Sequence, residues 1–195
     1  MKHLLTILCV FISTFAMVAQ DKLYEKSNVG IKGGYNLSSA SIDGDTDTKT
    51  KNGFHVGVYN EIFLKKYIAL QTELLYSQQG YKISNNAGNF TQELNYINLP
   101  VMLKIYPHKN LYLEGGPQIG VAIYHKETID ASFDLFDSES EYNPNDYDFG
   151  WNVGTGFRTD SGLTLGIRYY FGTNKVYDQG NQKNRVLQIS AGFRF

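Results

Sequence analysis

Cysteine is almost missing from the chain: Cys9 is the only one among its 195 residues, and it lies in an apolar stretch at the N-terminus. A single thiol cannot form an internal disulfide. If the N-terminal stretch is removed on export, the mature chain has no thiol at all. The cysteine count therefore excludes a disulfide framework and thiolate chemistry.

An excess of charge of either sign is missing too. The formal net charge is -1, and no basic block occurs anywhere along the chain. Nucleic-acid binding proteins carry basic patches or stripes, so the sequence gives no electrostatic reason to expect nucleic acid as a partner. The length suits one domain of ordinary size.

Long apolar runs are confined to the first residues. After residue 18, every apolar stretch is interrupted by polar residues at alternate positions. A membrane-spanning helix needs about 20 predominantly apolar residues, so the rest of the chain has no such helix. The mature protein is therefore either soluble or a membrane-spanning β-barrel, because only helices and closed barrels satisfy their backbone within a bilayer.

The N-terminus has the layout of a cleavable export signal. Lys2 and His3 provide a positive start, residues 4–18 form an apolar run, and Ala19 supplies a small residue for cleavage. We predict a signal peptide over residues 1–19 and one domain over residues 20–195.

Two other interpretations of this segment fit less well. A lipidation site at Cys9 would need small residues before it, but Thr6-Ile7-Leu8 stands there. An uncleaved membrane helix would need a longer run without the polar pair Ser13-Thr14.

Aromatic residues and glycine are abundant, with 15 Tyr, 12 Phe and 19 Gly. They accompany a period of two, which indicates strands. This alternation predicts eight strands, over residues 28–37, 54–63, 68–77, 97–106, 111–123, 149–158, 163–171 and 187–195. Pro100 is unusual within the fourth, since proline cannot donate to a strand ladder.

Three features of this pattern favour a membrane barrel. Strands of roughly 9 to 11 residues match a tilted crossing of the bilayer. Connections alternate between long and short, as expected when one rim of the barrel faces the periplasm and the other faces outside. Aromatic residues fall toward strand ends, where interfacial girdles lie: Tyr35, Phe63, Tyr67, Tyr76, Tyr106, Trp151, Tyr169, Phe171, Phe193 and Phe195.

Charged residues on the inward face of these strands are the candidate site. They are Lys32, Glu61, Glu73, Lys104, Glu114, Arg158, Arg168 and Arg194. The four-residue turn after the fourth strand should bring Lys104 and Glu114 opposite each other as a pair. Such charges fit a hydrogen-bonded network that fills a narrow lumen, or a selectivity filter or proton path. Inward glycines leave a narrow water-filled pore open as well.

Catalysis and metal binding find little support. His55, His108 and His125 are possible bases, but no spacing joins any of them to a nucleophile and an acid. The acidic run Asp43-Gly44-Asp45-Thr46-Asp47 fails the EF-hand pattern, because Thr48 and Phe54 replace the required glycine and glutamate. We predict no enzyme, no cofactor and no metal site.

The predicted loop over residues 125–148 is the longest connection. It is strongly acidic, with interleaved aromatic and apolar residues such as Phe133, Phe136 and Tyr142. Such a loop could bind a protein partner or cations that bridge lipopolysaccharide, or it could extend the strands as a protruding hairpin.

Three segments together resemble the small outer-membrane β-barrel family of Bacteroidota, often called porin-family or PorT-like, and more distantly the OmpA and OmpX barrels. They are residues 29–36 (VGIKGGYN), residues 96–101 (YINLPV) and the closing Gly192-Phe193-Arg194-Phe195. The resemblance implies an outer-membrane location and lipid contact, and it implies that the barrel assembly machinery reads Phe195 as an insertion signal.

These observations predict a single eight-stranded antiparallel up-and-down transmembrane β-barrel in the outer membrane. Its expected role is structural, or an interaction through the extracellular loops. Two alternatives stay open: a small passive pore, and a soluble periplasmic β-barrel or β-sandwich that binds a ligand.

Overall fold

A computed structural model of the chain describes residues 28–42, 48–85, 88–131, 146–175 and 182–195. Within them lie eight β-strands: β1 (Asn28–Ile42), β2 (Lys49–Lys65), β3 (Ile68–Asn85), β4 (Gly88–His108), β5 (Leu111–Ala131), β6 (Tyr147–Arg158), β7 (Leu163–Gly172) and β8 (Gln182–Arg194). The predicted signal peptide and the acidic run 43–47 lie outside the described residues. The described residues contain no helix that is long and apolar enough to cross a membrane.

The strands close into a barrel in sequence order, with every neighbouring pair antiparallel. β1 and β8 complete the ring through a register that runs from Gly30 opposite Arg194 to Ile42 opposite Gln182. The prediction of an eight-stranded antiparallel up-and-down barrel is therefore confirmed.

The two faces of the barrel are inverted relative to a soluble protein. Polar side chains such as Asn36, Glu73 and Gln118 are buried inside, whereas apolar side chains such as Val153 and Ile189 are about half exposed outside. Burial of polar groups is costly unless they find partners, so this interior needs a hydrogen-bonded filling. The exterior instead suits hydrocarbon.

A β-sandwich would bury apolar residues from different strands between two layers. Leu165 and Ile119 are 52% and 38% exposed, and Leu70 and Val101 are partly exposed on the same outer surface. The sandwich alternative is therefore wrong, because the ring of strands closes without a second sheet.

Most strands are longer than the predicted 9 to 11 residues. β4 and β5 each have 21 residues and β3 has 18, while β6, β7 and β8 have 12, 10 and 13. The stretches 38–52 and 78–91, predicted as loops, are largely strand. Beyond the hydrocarbon layer the outer face meets water and need not be apolar, so the ladder continues there without alternating hydrophobicity.

The predicted loop over residues 125–148 is also shorter than expected. β5 continues through His125 to Ala131, and β6 begins at Tyr147. Residues 132–145 lie outside the described part of the chain. The described part of the predicted loop is therefore strand at both of its ends.

Pro100 lies within β4, with its side chain buried. The β3–β4 ladder passes from Thr72 opposite Val101 directly to Leu75 opposite Asn98, without a change of register. Because proline has no N–H to donate, the β3–β4 ladder is interrupted near Pro100, but β4 continues in the same register on both sides of the interruption.

Aromatic side chains form rows on the outer surface. Tyr35 stands opposite Phe54 in the β1–β2 register, and the Phe54 ring lies 5.7 Å from that of Tyr76. Trp151 stands opposite Phe171 on the other side of the barrel. Tyr106 does not belong to a girdle, because it is 3% exposed and its ring contacts Phe63 and Tyr112.

Candidate functional site

Seven of the eight predicted inward charges meet in ion pairs inside the half of the barrel next to the short turns. We call these seven residues the lumen charge network: Lys32, Glu61, Glu73, Lys104, Glu114, Arg158 and Arg168. Each of the seven strands β1 to β7 supplies one member, and the eighth predicted residue, Arg194, lies in β8. Side chains far apart in sequence are therefore held together across the lumen.

Arg168 is the centre of this network. Its Nη1 and Nη2 donate to the two carboxylate oxygens of Glu73 at 2.8 and 2.7 Å, and its Nε donates to Glu114 Oε1 at 2.7 Å. The side chains of all three residues are at most 4% exposed. Planar guanidinium groups favour such two-point pairing with carboxylates, so one cation holds β3, β5 and β7 together.

Lys32 completes the environment of Glu73, with its Nζ 3.2 Å from Glu73 Oε1. Gln71 also donates to the same carboxylate oxygen. Glu73 thus accepts from three side chains, and the desolvation of its charge is offset by charge-assisted hydrogen bonds.

Glu61 forms a second centre closer to the turns. It accepts from Arg158 Nη1 at 2.9 Å, from Lys104 Nζ at 3.3 Å and from the Tyr106 hydroxyl at 2.7 Å. Lys104 lies opposite Glu114 in the β4–β5 register, as predicted from the short turn, with its Nζ 3.8 Å from Glu114 Oε2. Lys104 therefore joins the two centres.

Aromatic rings cover the cations at this end. Lys104 Nζ lies 4.1 Å from the centre of the Tyr112 ring, and the Arg158 guanidinium lies 4.6 Å from that of Tyr106. Ring faces attract cations, so Tyr106 and Tyr112 stabilise charges that are already paired. Sequence analysis missed this role, although both residues follow the inward alternation of their strands.

Arg194, the remaining predicted residue, is separate from these pairs. It lines a cavity of about 20 Å³ together with Lys32, Tyr59, Glu61 and Thr164. It forms no ion pair with any described residue. The structure therefore brings Arg194 next to the lumen charge network without a carboxylate of its own.

The outer half of the lumen is polar rather than ionic. His55, which is 1% exposed, lies 2.8 Å from Asn36 Oδ1 through Nδ1 and 3.3 Å from Ser190 Oγ through Nε2. Asp148, predicted at the end of a loop, is instead buried in β6 and accepts from Asn184 Nδ2 at 2.8 Å. The series Asp148, Gly150, Asn152 already carries this inward alternation in the sequence.

The other predicted catalytic candidates lie apart. His108 is exposed at the end of β4, and His125 lies in β5 opposite Leu94. The described residues contain no group of three His, Cys, Asp or Glu side chains arranged to hold a metal ion. Large side chains such as Arg168, Tyr96 and Met102 are fully buried across the lumen, so this interior is filled rather than open.

Several solved structures are similar in fold. The attachment invasion locus protein Ail of Yersinia pestis, solved with the heparin analogue sucrose octasulfate, aligns with a TM-score of 0.53 and 17% identity over 88% of this chain and 100% of that one. Neisserial surface protein A aligns with a TM-score of 0.54 and 13% identity over the same shares. At these identities the similarity concerns the fold.

No curated protein matches the chain with significant sequence similarity. A family model described as "Outer membrane protein beta-barrel domain" matches residues 18–178, which is most of the chain. With the closed eight-stranded ring and its apolar exterior, this match indicates the bacterial outer membrane as the location. The chain therefore belongs to the outer membrane protein beta-barrel family.

Proposed function

We propose that the protein is an integral outer-membrane barrel that acts through its outward-facing rim and loops, in a structural or interaction role without catalysis. One observation carries this proposal: the barrel is much taller on one side. The β4–β5 ladder continues to Gly88 opposite Ala131, whereas the β5–β6 ladder ends at Val121 opposite Tyr147. We call the raised side the wall. It consists of residues 77–85 of β3, 88–96 of β4 and 122–131 of β5.

The size of the wall follows from strand geometry. Residues 122–131 of β5 extend past the last β5–β6 pair, and at about 3.4 Å per residue they add about 34 Å along the strand. With a strand tilt of about 45°, the wall rises about 24 Å above the lower side. A bilayer crossing needs no such extension, because β7 spans with 10 residues. The extra ladder is therefore surface available to a partner.

The composition of the wall supports a protein partner. Lys82 and Lys126 are exposed on the wall. Glu93 lies opposite Lys126 in the β4–β5 register and forms an ion pair with Lys51 at 3.4 Å. Residues 132–145, which lie outside the described part of the chain, follow β5 in the sequence and are acidic with interleaved aromatic residues. Ail was solved with a heparin analogue, but the acidic segment of this chain disfavours a polyanion. We propose instead that a protein binds at 125–148.

The remaining parts of the proposal come from the sequence. We propose cleavage after Ala19, membership in the porin-family or PorT-like group of Bacteroidota, contact with outer-membrane lipid and lipopolysaccharide, and recognition of Phe195 by the barrel assembly machinery. Phe195 is 75% exposed, and its N–H donates to Val29 O at 2.9 Å. Its side chain is thus accessible while its backbone is tied to β1.

Cysteine labelling tests the orientation. Because Cys9 is the only native cysteine, single variants K82C, K126C and K109C can be labelled in intact cells with a membrane-impermeant maleimide. We expect labelling of K82C and K126C at once, and of K109C only after the outer membrane is permeabilised. Labelling of K109C alone in intact cells would reverse the orientation and refute the proposal.

Photo-crosslinking tests the interaction role. A photoreactive amino acid placed at Lys126 on the wall should form a reproducible adduct with one protein on intact cells. The same group at Lys109, in the β4–β5 turn, is the matched control. Equal adduct patterns at both positions would argue against a partner at the wall.

The passive pore is the second candidate, because the sequence places glycines such as Gly34, Gly150 and Gly154 on the inward face. In the structure, however, the space next to these glycines is taken by backbone and by the side chains of His55, Tyr170 and Glu114. The buried lumen charge network argues against an open path, because Arg168 and its two carboxylates cross the lumen. Purified protein in planar bilayers should give no regular single-channel steps. Steps of uniform size from pure protein would establish the pore instead.

A further inference from the structure

The cavity next to Arg194 has an excess of positive charge. The inward charges in this half of the barrel comprise five cationic and three anionic side chains. The three carboxylates are already engaged: Glu73 by Arg168 and Lys32, Glu114 by Arg168, and Glu61 by Arg158, Lys104 and Tyr106. Arg194 is left without a described counter-ion, beside a space that holds no side chain.

Hydrogen-bond donors from four strands surround this space. Lys32 comes from β1, Tyr59 from β2, Thr164 from β7 and Arg194 from β8. Glu61 also lines the cavity, but it already accepts from three side chains. The space is therefore lined mainly by groups that can donate.

Tyr59 gives the clearest indication of a missing acceptor. Its side chain is 5% exposed, and its hydroxyl lies beside Thr164 without a hydrogen bond of ordinary geometry to any described residue. Buried hydroxyls are rarely left without a partner. The adjacent hydroxyls of Tyr59 and Thr164 carry two protons and can use at most one of them on each other, so the second proton calls for an acceptor in the cavity.

Glycine at position 30 allows this placement of Tyr59. A Cβ at Gly30 would lie 2.4 Å from Tyr59 Cζ and 2.5 Å from its hydroxyl oxygen, and one at Gly192 would lie 2.7 Å from Thr164 Oγ1. The tyrosine thus crosses β1 over a residue without a side chain, and its hydroxyl reaches toward β8 and β7. Both β1 and β8 therefore have a glycine next to the point where the Tyr59 and Thr164 side chains meet.

We propose that this cavity binds one small monovalent anion of halide size, held by Arg194, Lys32 and the hydroxyls of Tyr59 and Thr164. A volume of about 20 Å³ admits one water-sized particle, so sulfate and phosphate are too large. The anion supplies an acceptor for the Tyr59 hydroxyl and balances part of the positive excess. The site lies at the end of the barrel with the short turns, so exchange occurs with the periplasm.

Bromide is the probe. Crystals of the folded protein in detergent, soaked in sodium bromide, should show an anomalous peak in the cavity, and ³⁵Cl line broadening in micelles should report exchange in solution. R194Q should weaken halide binding by about tenfold or more, because a charge-assisted hydrogen bond is lost. Y59F, which keeps the ring, should weaken binding less.

R185Q is the matched control, because Arg185 bonds the backbone carbonyls of Gly172 and Asn184 in the outer half of the barrel. It should leave the peak and the broadening unchanged. Ordered water in the cavity at high bromide, or adventitious ions only at surface lysines, would overturn the proposal. Equal broadening in wild type, R194Q and Y59F would overturn it as well.

Discussion

Replacement of Arg168 by methionine is the sharpest test of how the barrel interior is stabilised. Methionine keeps much of the apolar stem, so the variant removes the guanidinium with little loss of volume. Arg168 donates three hydrogen bonds of 2.7 to 2.8 Å to Glu73 and Glu114. Without it, two carboxylates stay buried with fewer partners.

The magnitude follows from those contacts. Three charge-assisted hydrogen bonds at about 1.5 to 3 kcal/mol each set an upper range of about 4.5 to 9 kcal/mol. Lys32 still pairs with Glu73 at 3.2 Å, and Lys104 approaches Glu114 at 3.8 Å. These cations offset part of the loss, so we expect R168M to lower the free energy of unfolding by about 3 to 5 kcal/mol, as for other broken buried pairs.

Urea unfolding in phospholipid vesicles measures this difference. Trp151 is the only tryptophan and is 45% exposed on the outer face, so its fluorescence reports on lipid contact in the folded barrel. K109M is the control, because Lys109 and Asp160 pair at 3.4 Å with side chains 68% and 82% exposed, and such pairs contribute at most about 1 kcal/mol. An R168M loss no larger than that of K109M would refute the reasoning.

Three further predictions concern packing and assembly. G116A should destabilise the barrel by about 1 to 3 kcal/mol in the same unfolding assay, because its Cβ would lie 2.0 Å from Val101 O; G115A, whose Cβ would meet Asn152 O at 3.6 Å, should be within about 0.5 kcal/mol of wild type. Boiled and unboiled samples should migrate differently on gels, and identical mobility would contradict a detergent-resistant barrel. F195A should lower the yield of inserted barrel in cells, whereas unchanged insertion would show that Phe195 is not read by the assembly machinery.

Much of the fold could be predicted because the bilayer imposes one simple rule on each strand. Where the outer face meets hydrocarbon, as from Leu163 to Phe171, apolar residues alternate with inward ones and mark the strand directly. Above the membrane the outer face meets water and the buried inward face is largely polar, so residues such as Gln79 and Thr91 pair in the ladder without an apolar signal. The predicted ends of β3, β4 and β5 were therefore wrong, whereas the number of strands and their order in the barrel were correct.

The sequence predicts which residues belong to the candidate site, but it does not predict which of them pair with each other across the lumen. Alternation assigns Arg168 to the lumen, and a short turn aligns Lys104 with Glu114. Nothing in the sequence sets which residues face each other across the ring, such as Arg168 and Glu73, which are 95 positions apart. Those contacts depend on the curvature of the closed sheet, which local patterns do not encode.

The seam between the first and last strands makes the production of this barrel an all-or-none event. Thirteen residues of β1 pair with β8. The pairing of Gly30 with Arg194 therefore cannot form until the whole polypeptide has been exported to the membrane. Before that moment, both margins of the sheet carry unsatisfied backbone groups that lipid cannot accommodate. A chain halted before β8 should consequently be cleared by proteolysis instead of accumulating as a stable partial cylinder.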